Sequence, residues 1–336
     1  MADDPYAPLT AEGIHRLAIP TPFAVGRVNV YLIEDEPLTL VDAGPNSGSS
    51  LDELQRSLER VGHSIEDIEL ILITHQHLDH IGLVQILANH SGAEVAAIDQ
   101  LVPFVENYRE AAAADDDFGT QIMRENGIPD DVVIALESVS RAFRAWGARA
   151  SVTRTLHEGE VVELRDRKLE VLFRPGHSPT DTVFLDADRR LLIGGDHLIK
   201  HISSNPLIAR RPSDGRRERS LVNYLESLKR TRELEVDLVL PGHGDPVDNP
   251  RELIDNRLRL HARRADKIHS LIEERPRNAY EIAQRLWGNV AVTQAFLTLS
   301  EVLGHIDMLL EDGRVTAVEG DGGVIHFDAV PVATRT

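Results

Sequence analysis

Three histidines and an aspartate lie within six consecutive positions of the segment ILITHQHLDHIGL, directly after a run of aliphatic residues. They are His75, His77, Asp79 and His80. Imidazole nitrogens and carboxylate oxygens together suit zinc, iron or manganese. The ordinary alternative is an aspartate that caps a helix beside surface histidines. One histidine would fit that interpretation, but three in a His-x-His-x-Asp-His pattern favour a metal site.

Three further metal-competent residues each follow a strand-like run. His177 comes after LEVLFR in a Pro-Gly turn, Asp196 comes after LLIGG, and His243 comes after VDLVL in a second Pro-Gly turn. Glycine lets the backbone bend sharply and lets a ligand approach closely. Each residue alone would be an ordinary loop residue. Their repetition after the first cluster favours one site assembled from several strand ends.

The elements that must position these side chains alternate between strands and helices. HRLAIP, VNVYLIED, PLTLVDAG, IELILIT and AEVAAI have strand composition. SGSSLDELQRSLERVG and GLVQILANH have apolar residues at helical spacing, and Ser50 is the predicted N-cap of the first of these helices. This alternation predicts an α/β layered domain, in which chemistry belongs on the loops that follow strands.

The motifs VDAG, THQHLDH, PGHSPTD, GGDHL and PGHGDP resemble, in order and spacing, those of the metallo-β-lactamase fold superfamily. The resemblance extends over residues 15 to 250 and is to the glyoxalase II type with a C-terminal winged helix. It implies a four-layer αββα sandwich with a two-metal site on one edge. The implied ligands are His75, His77 and His177 for the first ion, Asp79, His80 and His243 for the second, and Asp196 as the bridge. Asp42 would orient the loop without binding metal.

The implied cofactors are two zinc ions, although iron or manganese would accept the same ligands. A metal pair about 3.5–4 Å apart can share a water and lower its pKa toward neutrality, so that hydroxide attacks a carbonyl or a phosphorus. Asp79 could also accept a proton during this reaction. The oxygen-reducing branch of the superfamily replaces key positions with Glu and Asp. This chain keeps HQHLDH, which favours hydrolysis.

Composition excludes several other classes. The 336 residues contain no cysteine, which removes disulfides, thiolate nucleophiles and cysteine-type zinc sites. The net charge of −19 argues against a general nucleic-acid binder. The acidic start MADDPYAPLTAEG has no apolar core, and no stretch is long enough to cross a bilayer. We therefore expect a cytoplasmic protein without membrane contact.

Two segments near the predicted site are candidates for substrate binding. We predict a catalytic domain of residues 1–250, in which residues 104–150 form a helical insertion. The insertion is rich in aromatic residues that either form an apolar substrate wall or pack against the core: Phe104, Tyr108, Phe118, Phe143 and Trp146. Between residues 210 and 233, eight basic residues face four acidic ones. The candidates there for binding an anionic tail, such as the phosphates of coenzyme A, are Arg210, Arg211, Arg216 and Arg217; the ordinary alternative is a solvated helix with internal charge pairs.

The sequence pattern of residues 255–336 predicts three helices followed by a hairpin. This arrangement resembles a winged helix. The segment from residue 251 carries 11 basic and 13 acidic residues, so it lacks the positive charge that nucleic acid requires. A packing or dimerisation role is the preferred interpretation, which leaves a homo-oligomer open. The predicted core residues are Leu286, Phe296, Leu299, Val302 and Leu309.

The preferred function is hydrolysis of a small ester, a thioester of coenzyme A or glutathione, or a lactone. The alternative is a metal-dependent nuclease or phosphodiesterase that uses the winged helix to hold nucleic acid. A metal-binding scaffold or sensor without activity ranks last, because every expected ligand is present. The sequence does not distinguish among the carbonyl substrates.

Overall fold

The computed structural model describes residues 5–211, 214–290 and 294–331. Its strands are β1 (Ile14–Ile19), β2 (Val28–Ile33), β3 (Thr39–Val41), β4 (Leu70–Leu72), β5 (Glu94–Ile98), β6 (Arg154–Leu156), β7 (Val161–Glu163), β8 (Lys168–Phe173), β9 (Thr182–Asp186), β10 (Leu191–Gly195), β11 (Leu238–Pro241), β12 (Val315–Glu319) and β13 (Ile325–Ala329). Its helices are α1 (Ala7–Ala11), α2 (Gly48–Arg60), α3 (Leu78–Ile81), α4 (Val84–Ser91), α5 (Val102–Glu106), α6 (Tyr108–Glu125), α7 (Asp130–Phe143), α8 (Ser220–Arg232), α9 (Pro250–Glu274), α10 (Ala279–Trp287) and α11 (Ala295–Glu311).

Two mixed sheets form the centre of the molecule. The first has the order β1-β2-β3-β4-β5-β6 and the second has the order β11-β10-β9-β8-β7. In the first sheet β1, β2 and β3 pair antiparallel, and β3 to β6 pair parallel. In the second sheet only β10 and β11 pair parallel. β12 and β13 form a separate hairpin.

The second sheet is buried on both faces, as the alternation of its side chains shows. Leu191 and Ile193 join the core that is shared with the first sheet, whereas Leu192 between them joins a core with α8 and α9. Successive side chains of a strand point to opposite faces, so one face packs on the other sheet and one on helices. With α2 and α4 packed on the first sheet, the predicted αββα sandwich is confirmed.

The predicted N-cap of α2 was wrong by three residues. Ser47, with an extended backbone, is the cap, and its Oγ accepts the backbone N–H of Ser50 at 3.1 Å. Ser50 lies inside the first turn and its own hydroxyl donates to the backbone oxygen of Pro20 at 3.0 Å. The contact between α2 and the end of β1 therefore decides which serine caps the helix.

Parallel pairing brings several strand ends to one edge of the sandwich. Val41 of β3 pairs with Leu72 of β4, and Gly195 of β10 pairs with Pro241 of β11. Strand β2 ties the two sheets together at this edge, since the backbone N–H of Asn29 donates to the oxygen of Gly242 at 2.7 Å. The segments that follow these strands are therefore held close to one another.

The C-terminal helices share a core with the insertion helices. Buried side chains of α6, α7, α9, α10, α11 and the hairpin form one cluster, which includes the predicted core residues Leu299, Val302 and Leu309. Leu286 and Phe296 are only half-buried at its margin. Helix α9 joins this cluster through Ile268 and the core beneath the second sheet through Ile254. The division into domains at residues 250 and 255 remains a prediction.

Of the helices in the described part of the chain, none combines the length and the apolar character needed to cross a lipid bilayer.

Candidate metal centre

The first group of predicted ligands converges on His77. Its Nδ1 lies 3.0 Å from Nε2 of His75 and 2.9 Å from Nε2 of His177. Oδ2 of Asp196 lies 3.5 Å from the same nitrogen of His177. Three imidazole nitrogens and one carboxylate oxygen thus face a single point, which is a nitrogen-rich donor set for a divalent ion.

The second group lies on the other side of Asp196. Nε2 of His243 is 3.3 Å from Oδ2 of Asp79 and 3.5 Å from Oδ2 of Asp196. Nε2 of His80 is 3.6 Å from Oδ1 of Asp196. Asp196 therefore contacts both groups through its two oxygens, as a bridging carboxylate would. The ligand roles themselves remain predictions for metal analysis.

Hydrogen bonds behind the imidazoles fix which ring nitrogen faces inward. The Thr74 hydroxyl donates to Asp42 at 2.8 Å, so it accepts from Nδ1 of His75 at 3.0 Å. Nδ1 of His80 donates to Asp42 at 2.7 Å, and Nδ1 of His243 donates to the backbone oxygen of Arg27 at 2.9 Å. The Nε2 atoms of all three rings are therefore the ones that face the centre, which is the orientation that neutral imidazole needs to bind metal.

The interior of the centre fits a cation and little else. Nε2 of His80 and Oδ1 of Asp196 are buried and have no hydrogen-bond partner in the described chain. Lone pairs that face one another without a proton or cation are costly to bury. A divalent metal would satisfy them at once, so the residues present fit the metal that the donor set implies.

Electrostatics holds most of these groups in metal-binding protonation states. Burial, with a smaller effect of His177, lowers the pKa of His77 to about 3, and burial lowers the pKa of His75 well below its usual value. Burial alone would raise the pKa of Asp79, but the hydrogen bond from His243 and nearby imidazoles outweigh it and lower that pKa. Neutral imidazole and ionised carboxylate are the forms that ligate.

Burial would lower the pKa of His243, but Asp196 and Asp79 outweigh burial and raise that pKa. His80 differs more strongly, because carboxylates lie on both of its sides. Burial would lower its pKa, but Asp42 and Asp196 together outweigh burial and raise the pKa well above the usual value. The raised pKa of His80 means that positive charge is stabilised between Asp42 and Asp196. A metal ion placed between His80 and Asp196 would supply that charge.

Asp42 supports the centre from behind. Its backbone is left-handed, with φ 62°, and its carboxylate accepts the backbone N–H of Thr74 at 2.9 Å as well as the bonds from the Thr74 hydroxyl and His80. The resemblance implied such an orienting role for Asp42. Sequence reasoning missed Thr74, although it lies inside the quoted THQHLDH motif.

Asp181 is a second supporting carboxylate that sequence reasoning missed. It accepts the backbone N–H and the hydroxyl of Ser178, both at 2.8 Å, and so closes the loop directly after His177. Burial, opposed by His177, raises the pKa of Asp181 to about 6. The signal was available in PGHSPTD, because a serine three residues before an aspartate is a common local turn.

Gly242 leaves room for the centre, and a single methyl group there should disrupt it. A Cβ at this position would overlap Oδ1 of Asp196 and lie 2.8 Å from Cε1 of His80. We expect Gly242→Ala to weaken metal binding at least about tenfold, because a loss of 1.4 kcal/mol suffices for that factor. Titration of the apoprotein with zinc against a chromophoric chelator measures the change. Gly48→Ala, where a Cβ meets open space, is the control; equal zinc affinity in both variants would contradict the packing described here.

A third group of potential ligands, His261, Glu301 and His305, is already satisfied by protein. Nδ1 of His305 donates to the backbone oxygen of Glu301 at 2.6 Å, and its Nε2 lies 3.2 Å from Nδ1 of His261. Nε2 of His261 faces the hydroxyl of Ser203 at 3.4 Å, and Arg264 pairs with the Glu301 carboxylate at 2.5 Å. With each ring nitrogen partnered and the carboxylate neutralised, this group is a structural hydrogen-bond chain.

The metal centre opens onto a cleft of about 520 Å³. His77 and His177 form part of its wall, and α6, α7, the segment 207–209 and Phe296 form most of the remainder. The aromatic residues of the insertion divide between the two roles left open by the sequence. Phe104, Tyr108 and Phe143 line the cleft, whereas Phe118 packs into the C-terminal cluster.

The four candidate arginines of the basic segment have different surroundings. Arg217 forms two hydrogen bonds with Asp307, at 2.6 and 2.7 Å. Arg211 pairs with Asp214 and Glu218 at 3.1 and 3.3 Å.

The other two candidate arginines have fewer partners. Arg210 approaches Asp115, a residue of the cleft wall, at 3.7 Å, and Arg216 is exposed. A role of all four in substrate binding stays a prediction.

Comparison with known proteins identifies the family. A family model described as "Metallo-beta-lactamase superfamily" matches residues 24–243. The probable metallo-hydrolase YqjP of Bacillus subtilis (strain 168) is 32% identical over 319 residues, which cover 95% of this chain and 98% of the relative. These matches confirm the resemblance to the superfamily, whereas the glyoxalase II type and the C-terminal winged helix remain predictions.

A more distant relative and a solved structure extend the comparison. The acyl-coenzyme A thioesterase MBLAC2 of Homo sapiens is 28% identical over 232 residues, or 65% of this chain and 73% of the relative. The crystal structure of a β-lactamase domain protein from Burkholderia ambifaria matches with a TM-score of 0.81 at 26% identity, covering 95% of this chain and 92% of that one. The fold similarity therefore extends over the C-terminal helices as well as the sandwich.

Proposed function

The chain belongs to the metallo-β-lactamase superfamily as a metal-dependent hydrolase, and we propose that its substrates are thioesters with an apolar acyl chain. The observation that carries the proposal is the apolar cleft that begins at His77 and His177. A cleft of this volume lies in the range of small-molecule sites, about 300–1,000 Å³. The relative named as an acyl-coenzyme A thioesterase supports the same class of substrate.

We propose zinc at both positions of the centre. Bound zinc ions supply a water of lowered pKa as the attacking group and polarise the carbonyl of the substrate. The protein side chains position the ligands of these ions. Asp196 holds the two halves of the centre at a fixed separation, and the hydrogen bonds from Asp42 and Thr74 keep His75 and His80 in their orientations.

Asp79 is the proposed proton acceptor. Its carboxylate is buried beside His243 and its lowered pKa keeps it ionised at neutral pH. An ionised carboxylate at the centre can take the proton released when the attacking water adds to the carbonyl. The thiol of the carrier then leaves, and no serine or cysteine nucleophile is required.

The cleft selects the acyl chain by removing its methylene groups from water. Each buried methylene contributes about 0.8 kcal/mol, which is about fourfold in affinity. The wall offers apolar contacts from Phe104, Phe143, Met123 and Phe296. A long chain is therefore expected to bind more tightly than an acetyl group, with the thioester carbonyl beside His77 and His177.

Filling the cleft should shorten the chain that the enzyme accepts. Ala112 lies on the face of α6 that lines the cleft. We expect Ala112→Phe to lower kcat/KM for dodecanoyl thioesters at least about tenfold, equivalent to roughly two methylene groups, and to leave acetyl thioesters within about twofold. Steady-state assays of both chain lengths measure the effect.

Ala113→Phe, at the neighbouring position outside the cleft wall, is the matched control. Equal loss for both chain lengths, or equal loss in the control, would mean that the cleft does not hold the acyl chain. Turnover of a phosphodiester without any thioester turnover would replace the proposal with the phosphodiesterase alternative.

A further inference from the structure

A second hollow, of about 470 Å³, lies beside the cleft and is lined by three arginines. They are Arg109, Arg144 and Arg149, and Asn46 and Tyr108 complete the polar part of its wall. Tyr108 and Arg144 also belong to the wall of the cleft. The Tyr108 hydroxyl donates to the backbone oxygen of Arg144 at 2.7 Å, so this pair forms a partition between the two spaces.

Two of the three arginines of the hollow carry positive charge that no carboxylate pairs with in the described ranges. No acidic residue is part of its wall. Arg144 is paired with Asp116, but Arg109 and Arg149 are exposed, and in the described ranges no carboxylate lies within 4.0 Å of either guanidinium. Arg109 is also in the first turn of the 18-residue helix α6, whose positive dipole end adds to the local potential. Unpaired positive charge of this kind is unusual on a chain of net charge −19.

The basic segment after residue 210 offers less free charge than the hollow. The guanidinium of Arg217 is held by Asp307, and Arg211 faces two carboxylates. Such pairs leave little net charge for an anionic ligand. Arg109 and Arg149 face no such carboxylates, and Arg149 donates only its Nε to a backbone oxygen, that of Glu106, at 2.8 Å. The hollow that they line adjoins the cleft through Tyr108 and Arg144.

The hollow is fixed relative to the metal centre. The backbone N–H of Asn46 donates to the oxygen of Trp146 at 2.7 Å, which ties the end of the insertion to the loop after β3. Gly82, next to α3 and its ligand His80, packs directly against both of these backbone groups. A ligand bound in the hollow would therefore have a defined position with respect to the reacting carbonyl.

We propose that this hollow binds the phosphate groups of the carrier of an acyl thioester, a phosphorylated nucleotide carrier of the coenzyme A class, while the acyl chain occupies the cleft. The inference rests on the proposed thioesterase function and adds the carrier to it. Guanidinium groups bind phosphate oxygens through paired, charge-assisted hydrogen bonds. The partition at Tyr108 then separates the charged half of the substrate from its apolar half.

The test compares carriers with and without phosphate on the same acyl chain. We expect the double variant Arg109→Gln/Arg149→Gln to raise KM for dodecanoyl-coenzyme A about tenfold or more, since it removes two guanidinium groups that would make charge-assisted hydrogen bonds to phosphate. KM for the dodecanoyl thioester of N-acetylcysteamine, which carries no phosphate, should stay within about twofold. The salt dependence of KM for the coenzyme A substrate should also weaken in the variant.

The control double variant Arg56→Gln/Arg60→Gln removes the same charge from α2, where both arginines face acidic partners. Equal effects on the two thioesters, or an equal effect of the control, would overturn the carrier site. Failure of the thioesterase function is distinguishable, because the wild-type enzyme would then turn over neither thioester. Calorimetry with desulfo-coenzyme A tests in either case whether the hollow binds the phosphorylated carrier. We expect an affinity about tenfold weaker in the Arg109/Arg149 variant. An unchanged affinity in the variant, or no binding by the wild type, would overturn the carrier site.

Discussion

Replacing Asp196 with alanine is expected to remove both metal ions and to reduce kcat/KM by more than the roughly 10–100-fold that accompanies loss of a residue supporting a ligand. One oxygen of Asp196 lies 3.6 Å from His80, and the other lies 3.5 Å from both His177 and His243. The variant therefore loses an oxygen donor from each group of ligands. Elemental analysis after reconstitution and desalting, with a thioester assay on the same sample, measures both effects.

His243→Ala is the matched comparison for Asp196→Ala. His243 contacts Asp79 and Asp196 but belongs to the second group of ligands alone. We expect this variant to retain the first ion and lose the second. Equal metal loss in the two variants would contradict the bridging assignment. A wild-type protein that binds one ion or none after reconstitution, with its native circular dichroism, would contradict the two-metal proposal.

The candidate ligands could be predicted because they belong to four short motifs, each at the end of a strand. Local composition places His177 and His243 in Pro-Gly turns. The strands before them run in the same direction, because β8 and β10 are both antiparallel to β9 and β10 is parallel to β11, so their loops meet at one edge. The supporting contacts could not be predicted in the same way. His243 is oriented by the backbone oxygen of Arg27, 216 residues away, and a backbone oxygen leaves no signature in the sequence.

Helix ends illustrate the same division between local and tertiary information. Asn278 caps α10 through a local contact, because its side chain accepts the N–H of Glu281 within the same turn. The start of α2 was misplaced, because the contact between Ser50 and Pro20 spans 30 residues. The composition of residues 210–233 likewise indicated net positive charge. In the structure the charge of Arg217 is paired with that of Asp307, which lies 90 residues later and outside the segment that was counted.

Asp42 is expected to produce the second largest effect, through a position that does not bind metal. Oδ2 of Asp42 accepts bonds from both the Thr74 hydroxyl and His80, and Oδ1 accepts the backbone N–H of Thr74. In Asp42→Asn, either orientation of the amide makes an NH₂ group face a donor. We expect zinc affinity to fall about 10–100-fold, with the loss concentrated at the second ion because His80 loses its fixed orientation.

The choice of asparagine separates this effect from backbone strain. The backbone of Asp42 has φ 62°, which asparagine tolerates several-fold better than most residues. Asp42→Ala removes every acceptor and also strains the turn, so we expect its apoprotein to be destabilised further, by about 1–3 kcal/mol for each buried donor left unpaired. Urea unfolding of the two apoproteins measures that difference.

Asp181→Asn provides the opposite control for Asp42→Asn, because Asp181 supports the loop after His177 and therefore the first ion. Zinc titrations of the two variants should give two-step binding curves in which different steps are weakened. Asp42→Asn should weaken binding of the second ion, and Asp181→Asn should weaken binding of the first. If Asp42→Asn retained wild-type affinity at both steps, the network of Asp42, Thr74 and His80 would be a packing feature only. The orientation of His80 would then have to come from its burial alone, although burial does not specify which ring nitrogen faces the metal.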